Sequence, residues 1–139
     1  MSALTIGVRL LLADAGIVAK VGSSVYPITA PQGAEGPYIV VGLVHEEQDF
    51  LLAGASGCFF SRVEIQCVAS TGPEADAIGE AVKACMTTVL NATVMSGGDN
   101  PVEIGTATAW KEGTDLLDFT DDRAVFRRLL DYRLHWTTP

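Results

Sequence analysis

Between Phe59 and Leu90 the hydrophobic period of the chain changes once, from two to between three and four, and that switch restricts the fold more than any other feature. Phe59, Val63, Ile65 and Cys67 alternate with Arg62, Glu64 and Gln66, which marks a strand with one face in a core and the other in water. Thr71-Gly72-Pro73-Glu74 then reads as a capping box with proline in the first turn. Ile78, Val82, Cys85, Met86, Val89 and Leu90 line one side of the helix that follows. A half-wet strand followed at once by an amphipathic helix implies a sheet covered by helices on one face.

The remaining segments extend that scheme. Ser2 can cap a helix whose stripe is Leu4, Val8, Leu11 and Leu12, ending near Asp14 to Gly16, and a short turn from Ile17 to Val21 closes at Gly22. Val25-Tyr26-Pro27 opens an extended stretch rich in Pro and Gly. Tyr38 to Val44 is β-branched and aromatic and predicts a central strand, which polar His45 to Asp49 carries outward. Asn91 to Pro101 predicts a loop, and Val102 to Lys111 alternates again. Gly113 to Asp122 is an acidic connection. In the last strand, Val125 to Trp136, Phe126, Leu130, Tyr132, Leu134 and Trp136 stand against Arg127, Asp131, Arg133 and His135. The expected fold is α+β, one domain over 1–139. It has a four-stranded, mainly antiparallel sheet packed against two helices in the order α-β-β-α-β-β, with long hairpin loops.

Composition restricts partners more than it restricts shape. Arg9, Asp14 and Lys20 interrupt the longest apolar run, so neither a membrane helix nor a signal peptide is expected, and the chain reads as soluble. A net charge of −8 argues against broad phosphate neutralisation, although Arg123, Arg127, Arg128 and Arg133 gather in one short segment. Cys58, Cys67 and Cys85 are odd in number and contain no CxxC pair, which suggests buried hydrophobes rather than disulfides or a zinc site.

No set of side chains converges on catalysis. His45 and His135 each close a strand without cysteine or carboxylate at metal spacing. Adjacent Glu46-Glu47 on a strand point to opposite faces, and Asp121-Asp122 fits a solvated turn. Gly54-Ala55-Ser56-Gly57 lacks the G-x-S-x-G frame, and no Gly-Lys-Ser/Thr follows Gly97-Gly98. No catalytic residue, metal ligand or cofactor is expected. Arg127, Arg128 and Arg133 admit two readings: pairing across strands with Glu64, Glu103 or Asp131, or contact with an acidic partner or nearby DNA.

The order of segments resembles the tail-terminator, or tail-completion, proteins of long-tailed phages and related gene-transfer particles over nearly the whole chain. The resemblance is carried by Leu11-Leu12-Ala13-Asp14-Ala15, Val25-Tyr26-Pro27, Ala30-Pro31-Gln32-Gly33 and Pro37-Tyr38-Ile39-Val40-Val41. It continues in Arg62-Val63-Glu64-Ile65-Gln66-Cys67, Glu74-Ala75-Asp76-Ala77 and Arg127-Arg128-Leu129-Leu130-Asp131-Tyr132-Arg133. It implies a structural virion protein without enzymatic activity: a hexameric ring that caps the head-proximal end of the tail tube, stops its polymerisation and joins it to the head connector. The implied partners are further copies of the chain, the tail tube protein and a connector or stopper protein. Genome DNA would pass through the ring without sequence-specific binding. Assembly would take place in the bacterial cytoplasm, with no membrane involved. The same layout also suits another ring component, a head-completion adaptor or a tube protein. Expected contact residues are Phe50, Leu51 and Leu52 in an apolar connection, Asp115 and Asp118 in the acidic one, and Arg127, Arg128 and Arg133 on the last strand.

Overall fold

A computed structural model describes residues 2–51 and 54–139, and for 49–51, 54–56 and 114 the backbone alone. The elements run α1 (Ala3–Leu12), α2 (Ala15–Val21), β1 (Val25–Pro27), β2 (Tyr38–Leu51), β3 (Gly54–Ala69), α3 (Gly72–Thr87), β4 (Ala92–Met95), β5 (Glu103–Phe119) and β6 (Phe126–Thr137). The strands form one six-stranded sheet in the order β1-β2-β3-β6-β5-β4. Among the described residues β1 and β2 pair in parallel and the other pairings are antiparallel.

The three helices begin on capping side chains. The oxygens of Ser2, Asp14 and Thr71 accept from the backbone N–H groups of Leu4, Ile17 and Glu74 at 3.3, 3.0 and 3.3 Å. Helices α1 and α3 pack on the sheet and α2 packs against both of them. The core lies between, built from Ile6, Leu11, Ile78, Val82 and Met86 on the helices and Ile39, Val41, Val63, Ile65, Leu130 and Leu134 on the strands. Leu90, expected on the buried side of α3, lies beyond the helix end and is exposed.

The α+β class and mainly antiparallel sheet agree with the sequence, but four strands become six. Val25–Pro27, read only as extended, pairs with β2 from Val25↔Ile39 to Pro27↔Val41. Part of the expected loop Asn91 to Pro101 forms β4, whose β-branched Val94 is buried. Both added strands are short edges, and Pro27 falls where a ladder tolerates a missing N–H. The expected long loops also shrink, because β2 and β5 run on through their polar stretches. Register shifts between Leu43 and His45, Gln48 and Phe50, and Lys111 and Asp115 absorb the residues that break alternation.

On β5 the small residues turn toward the helices. A Cβ on Gly105 would lie 2.6 Å from the Thr137 carbonyl oxygen and 3.4 Å from Ile6 Cδ1, so glycine allows the close approach at this point.

Candidate assembly surface

The sheet has one face under the helices and one open face, and the register decides which side chain goes where. Phe60, Arg62, Glu64 and Gln66 of β3 and Arg127, Leu129, Asp131, Arg133 and His135 of β6 project from the open face, on the side away from the core residues Val63, Ile65, Leu130 and Leu134. Toward β1 this face is bordered by the segment after that strand, which shares a cleft with Tyr38, Val40, Gln66, Val68 and Arg127. Ile28 opens the segment in a γ-turn, with φ 70° and the Thr29 N–H donating to the Pro27 carbonyl at 2.8 Å. A β-branched residue rarely adopts that conformation, and here it leaves the isoleucine side chain 73% exposed.

Among the described residues, nothing covers the other end of the open face. Phe60 and His135 are directly paired across strands and stack with centroids 4.4 Å apart, and Trp110 lies 6.4 Å from His135. Phe60 is 41% and Trp110 47% exposed. Val44, His45, Glu47, Arg62 and Arg133 border Phe60 in a cleft of about 410 Å³. A second hollow of about 330 Å³ joins Phe60 and Arg133 to Trp110 and Glu112. His45 Nε2 lies 3.1 Å from Glu47, and Arg133 Nε lies 3.2 Å from Glu112.

At the opposite end of the sheet β5 and β6 close in a hairpin whose turn, residues 120–125, lies beyond the Ala69↔Phe126 pair with β3; the turn and the β5 edge leading to it form a tongue. Its turn is tightly hydrogen-bonded: Thr120 Oγ1 donates to Asp122 at 2.6 Å, Ala124 N–H donates to the same carboxylate at 3.1 Å, and Val125 N–H donates to Thr120 Oγ1 at 3.2 Å. The Thr120 hydroxyl, followed by the Ala124 N–H, holds the Asp122 carboxyl below its ordinary range. Leu116, Leu117 and Phe119 are about half exposed along the tongue. Arg123 lies over the Phe119 ring at 5.6 Å.

The charges expected on these surfaces are largely engaged within the chain. Arg127 makes a bidentate pair with Asp118 at 3.0 and 2.7 Å. Arg128, expected among the contact residues, lies on the helix face and is 6% exposed. It meets Asp115 through two bonds of 2.9 and 2.8 Å, and its Nη1 reaches the Asp76 side chain and carbonyl and Glu80. One register shift places Asp115 opposite Leu130 on that same helix face. Arg133 remains on the open face. Phe50 and Leu51 continue β2, paired with Ala55 and Gly54, and their side chains, with all of Leu52, lie outside the described residues.

The Arg128 guanidinium, reinforced by Lys111, draws the Asp115 carboxyl well below the usual carboxylate range. Because its folded pKa is depressed, this group adds stability that is complete above its unfolded value of about 4 and is lost as pH falls toward the folded one. Asp115→Asn is therefore expected to be less stable than wild type at pH 7. The gap should begin to close below about pH 4, read as unfolding midpoints across an acid titration; a gap that stays constant to the acid end would separate Asp115 from the effect.

Two features escaped the sequence reading. The stacked set Phe60, His135 and Trp110 comes from three strands, and only the register brings it together. Leu116, Leu117 and Phe119 sit among aspartates, so that segment reads as acidic, yet its acids at 115 and 118 are internal anchors, while Leu116 on one face and Leu117 and Phe119 on the other stay about half exposed. Among the described residues, no three His, Cys, Asp or Glu side chains could hold a metal ion. Cys67 and Cys85 are buried, which pushes both thiols up to about 12.

Residues 8–134 match the model of a family described as tail completion protein gp17. The fold is similar to that of a chain in the virion of a native gene transfer agent (GTA) particle, at 21% identity and a TM-score of 0.64, over 94% of this chain and 91% of that one. No curated protein matches the chain.

Proposed function

The chain belongs to the tail completion protein gp17 family, as a structural protein of the virion tail, and we propose that it forms a ring capping the head-proximal end of the tail tube. In that role it ends tube polymerisation and joins the tail to the head connector. The supporting observation is the presence of two unlike apolar surfaces, the Phe60–Trp110 cleft and the β5–β6 tongue, at opposite ends of one sheet. A subunit of a closed ring must offer two different patches to its two neighbours, and one side of the ring must still face the tube. The partners are accordingly further copies of the chain, most simply six in a ring, with the tube protein on one side and a connector or stopper on the other.

Particles assembled without this protein are expected to contain over-long tubes, or tails that fail to join heads, counted by electron microscopy. Normal tail lengths and normal joining would sink the terminator role. Purified protein should form closed oligomers or remain small until tube is added; open-ended polymers would point to a tube protein instead.

A further inference from the structure

We propose that the β5–β6 tongue of one copy docks in the cleft between Phe60 and Trp110 of the next, so that subunits join head to tail. The proposal rests on the ring reading and names its contact. Two features of the cleft call for an occupant that is both apolar and acidic. Phe60, Trp110 and Val44 leave large apolar surface uncovered. Beside them, Arg62 and Arg133 stand directly opposite each other in the β3–β6 register, with side chains 43% and 55% exposed. Like charges so placed repel; among the described residues Asp131 pairs with Arg62 and Glu112 with Arg133. Arg62 Nε is buried and has no hydrogen-bond partner among the described residues.

The tongue supplies both properties. It carries half-exposed Leu116 on one face and Leu117 and Phe119 on the other, with Asp121 and Asp122 in the turn beyond them, and neither aspartate forms an ion pair among the described residues. Its turn is already hydrogen-bonded and its base is tied by Arg127 and Arg128, so little freedom is lost on docking. Phe119 pairs with Phe126 at one end of β6 while Phe60 pairs with His135 near the other, which at strand rise puts tongue and cleft roughly 30 Å apart. A reciprocal two-fold dimer, with each tongue in the other's cleft, would stop at two copies and leave neither surface for a third; in a ring each tongue meets the cleft of a separate neighbour. Tongue and cleft then form a heterologous contact, which generates a ring when its rotation closes.

Two variants test the contact by sedimentation velocity: Leu116→Ser with Phe119→Ser in the tongue, and Phe60→Ser with Trp110→Ser in the cleft. Each alone is expected to be monomeric where wild type is oligomeric. Mixed in equal amounts they should form dimers and nothing larger, because one intact tongue then meets one intact cleft. As a check independent of core packing, Arg133→Glu should raise the dissociation constant at least tenfold, and adding Asp121→Arg should recover most of the loss. Far-UV spectra and unfolding midpoints confirm that the variants fold.

Variants that keep the wild-type oligomer overturn the proposal, as does a mixture that stays monomeric. Wild type that is monomeric at every concentration, with a cleft that instead binds tube protein, overturns it too. Tail length decides the capping role separately: normal tails from tongue variants would remove this contact and leave the cap standing, whereas normal tails without the protein would remove the cap.

Discussion

Arg128→Ala is expected to lower the unfolding free energy by about 3 to 5 kcal/mol, the range for a buried ion pair that loses one partner. The guanidinium is nearly inaccessible and satisfies four acceptor groups on α3 and β5 at once. Most of the effect belongs to Asp115, because Asp76 and Glu80 are more than half exposed and their attraction is screened by solvent. Removing the arginine leaves the Asp115 carboxylate with only Lys111 and Lys83 nearby and strips a donor from the Asp76 carbonyl. It also opens space under α3, where Gly79 has no side chain because a Cβ would run into Arg128. The double variant Arg128→Met with Asp115→Leu removes both charges and keeps the volume, so most of the stability should return. Urea midpoints at unchanged slope measure both. A loss under about 1 kcal/mol for Arg128→Ala would mean that the ion cluster contributes no more than an exposed pair.

The same cluster shows where the sequence stopped being legible. Alternation along β6 assigned Phe126, Leu130, Tyr132, Leu134 and Trp136 to the core, and all but the half-buried Phe126 are buried there. The position between Phe126 and Leu130 on that face is Arg128, and period two already placed it inside. Polarity argued the other way, since a lone arginine is seldom buried, and the carboxylates that permit it lie far off in sequence at 76, 80 and 115. Asp115 was unreadable for a second reason. The register shift after Lys111 adds two residues to β5, so side chains beyond it keep the face that alternation gives them but meet partners two positions further along β6, and Asp115 stands opposite Leu130 instead of Arg128. The caps of α1 and α3 were legible because they are local: Ser2 and Thr71 act on neighbours within three residues. The edge strands β1 and β4 were not, because three or four residues carry too little pattern and are held by pairing with distant partners.

Trp136→Ala is expected to cost about 3 to 5 kcal/mol, as large aromatic truncations in cores do. Trp136 is 1% exposed and stacks on Phe59 with centroids 4.2 Å apart and planes 10° from parallel. Its Nε1–H donates to Ser61 Oγ at 3.0 Å, Ser61 donates to Glu46 at 3.1 Å, and the same Glu46 oxygen accepts from the Ala3 N–H at 3.1 Å. The indole thus anchors a polar chain that ends on the first turn of α1, where a carboxylate also opposes the positive end of the helix. Trp136→Phe retains the stacking and lets Ser61 go on donating to Glu46, so its cost should be nearer the 1 kcal/mol of one lost hydrogen bond plus the unfilled volume. The alanine variant should also raise amide exchange in the first turn of α1, since Ser61 is no longer held in position and Glu46 follows it. Ser61 lies between Phe60 and Arg62, whose side chains form the cleft on the opposite face of the same strand. Loosening this strand from below would therefore weaken docking from above. Trp136→Ala should lose oligomers together with stability, whereas the tongue variants should lose oligomers alone; equal stability losses in both would place Leu116 and Phe119 in the core rather than at an interface.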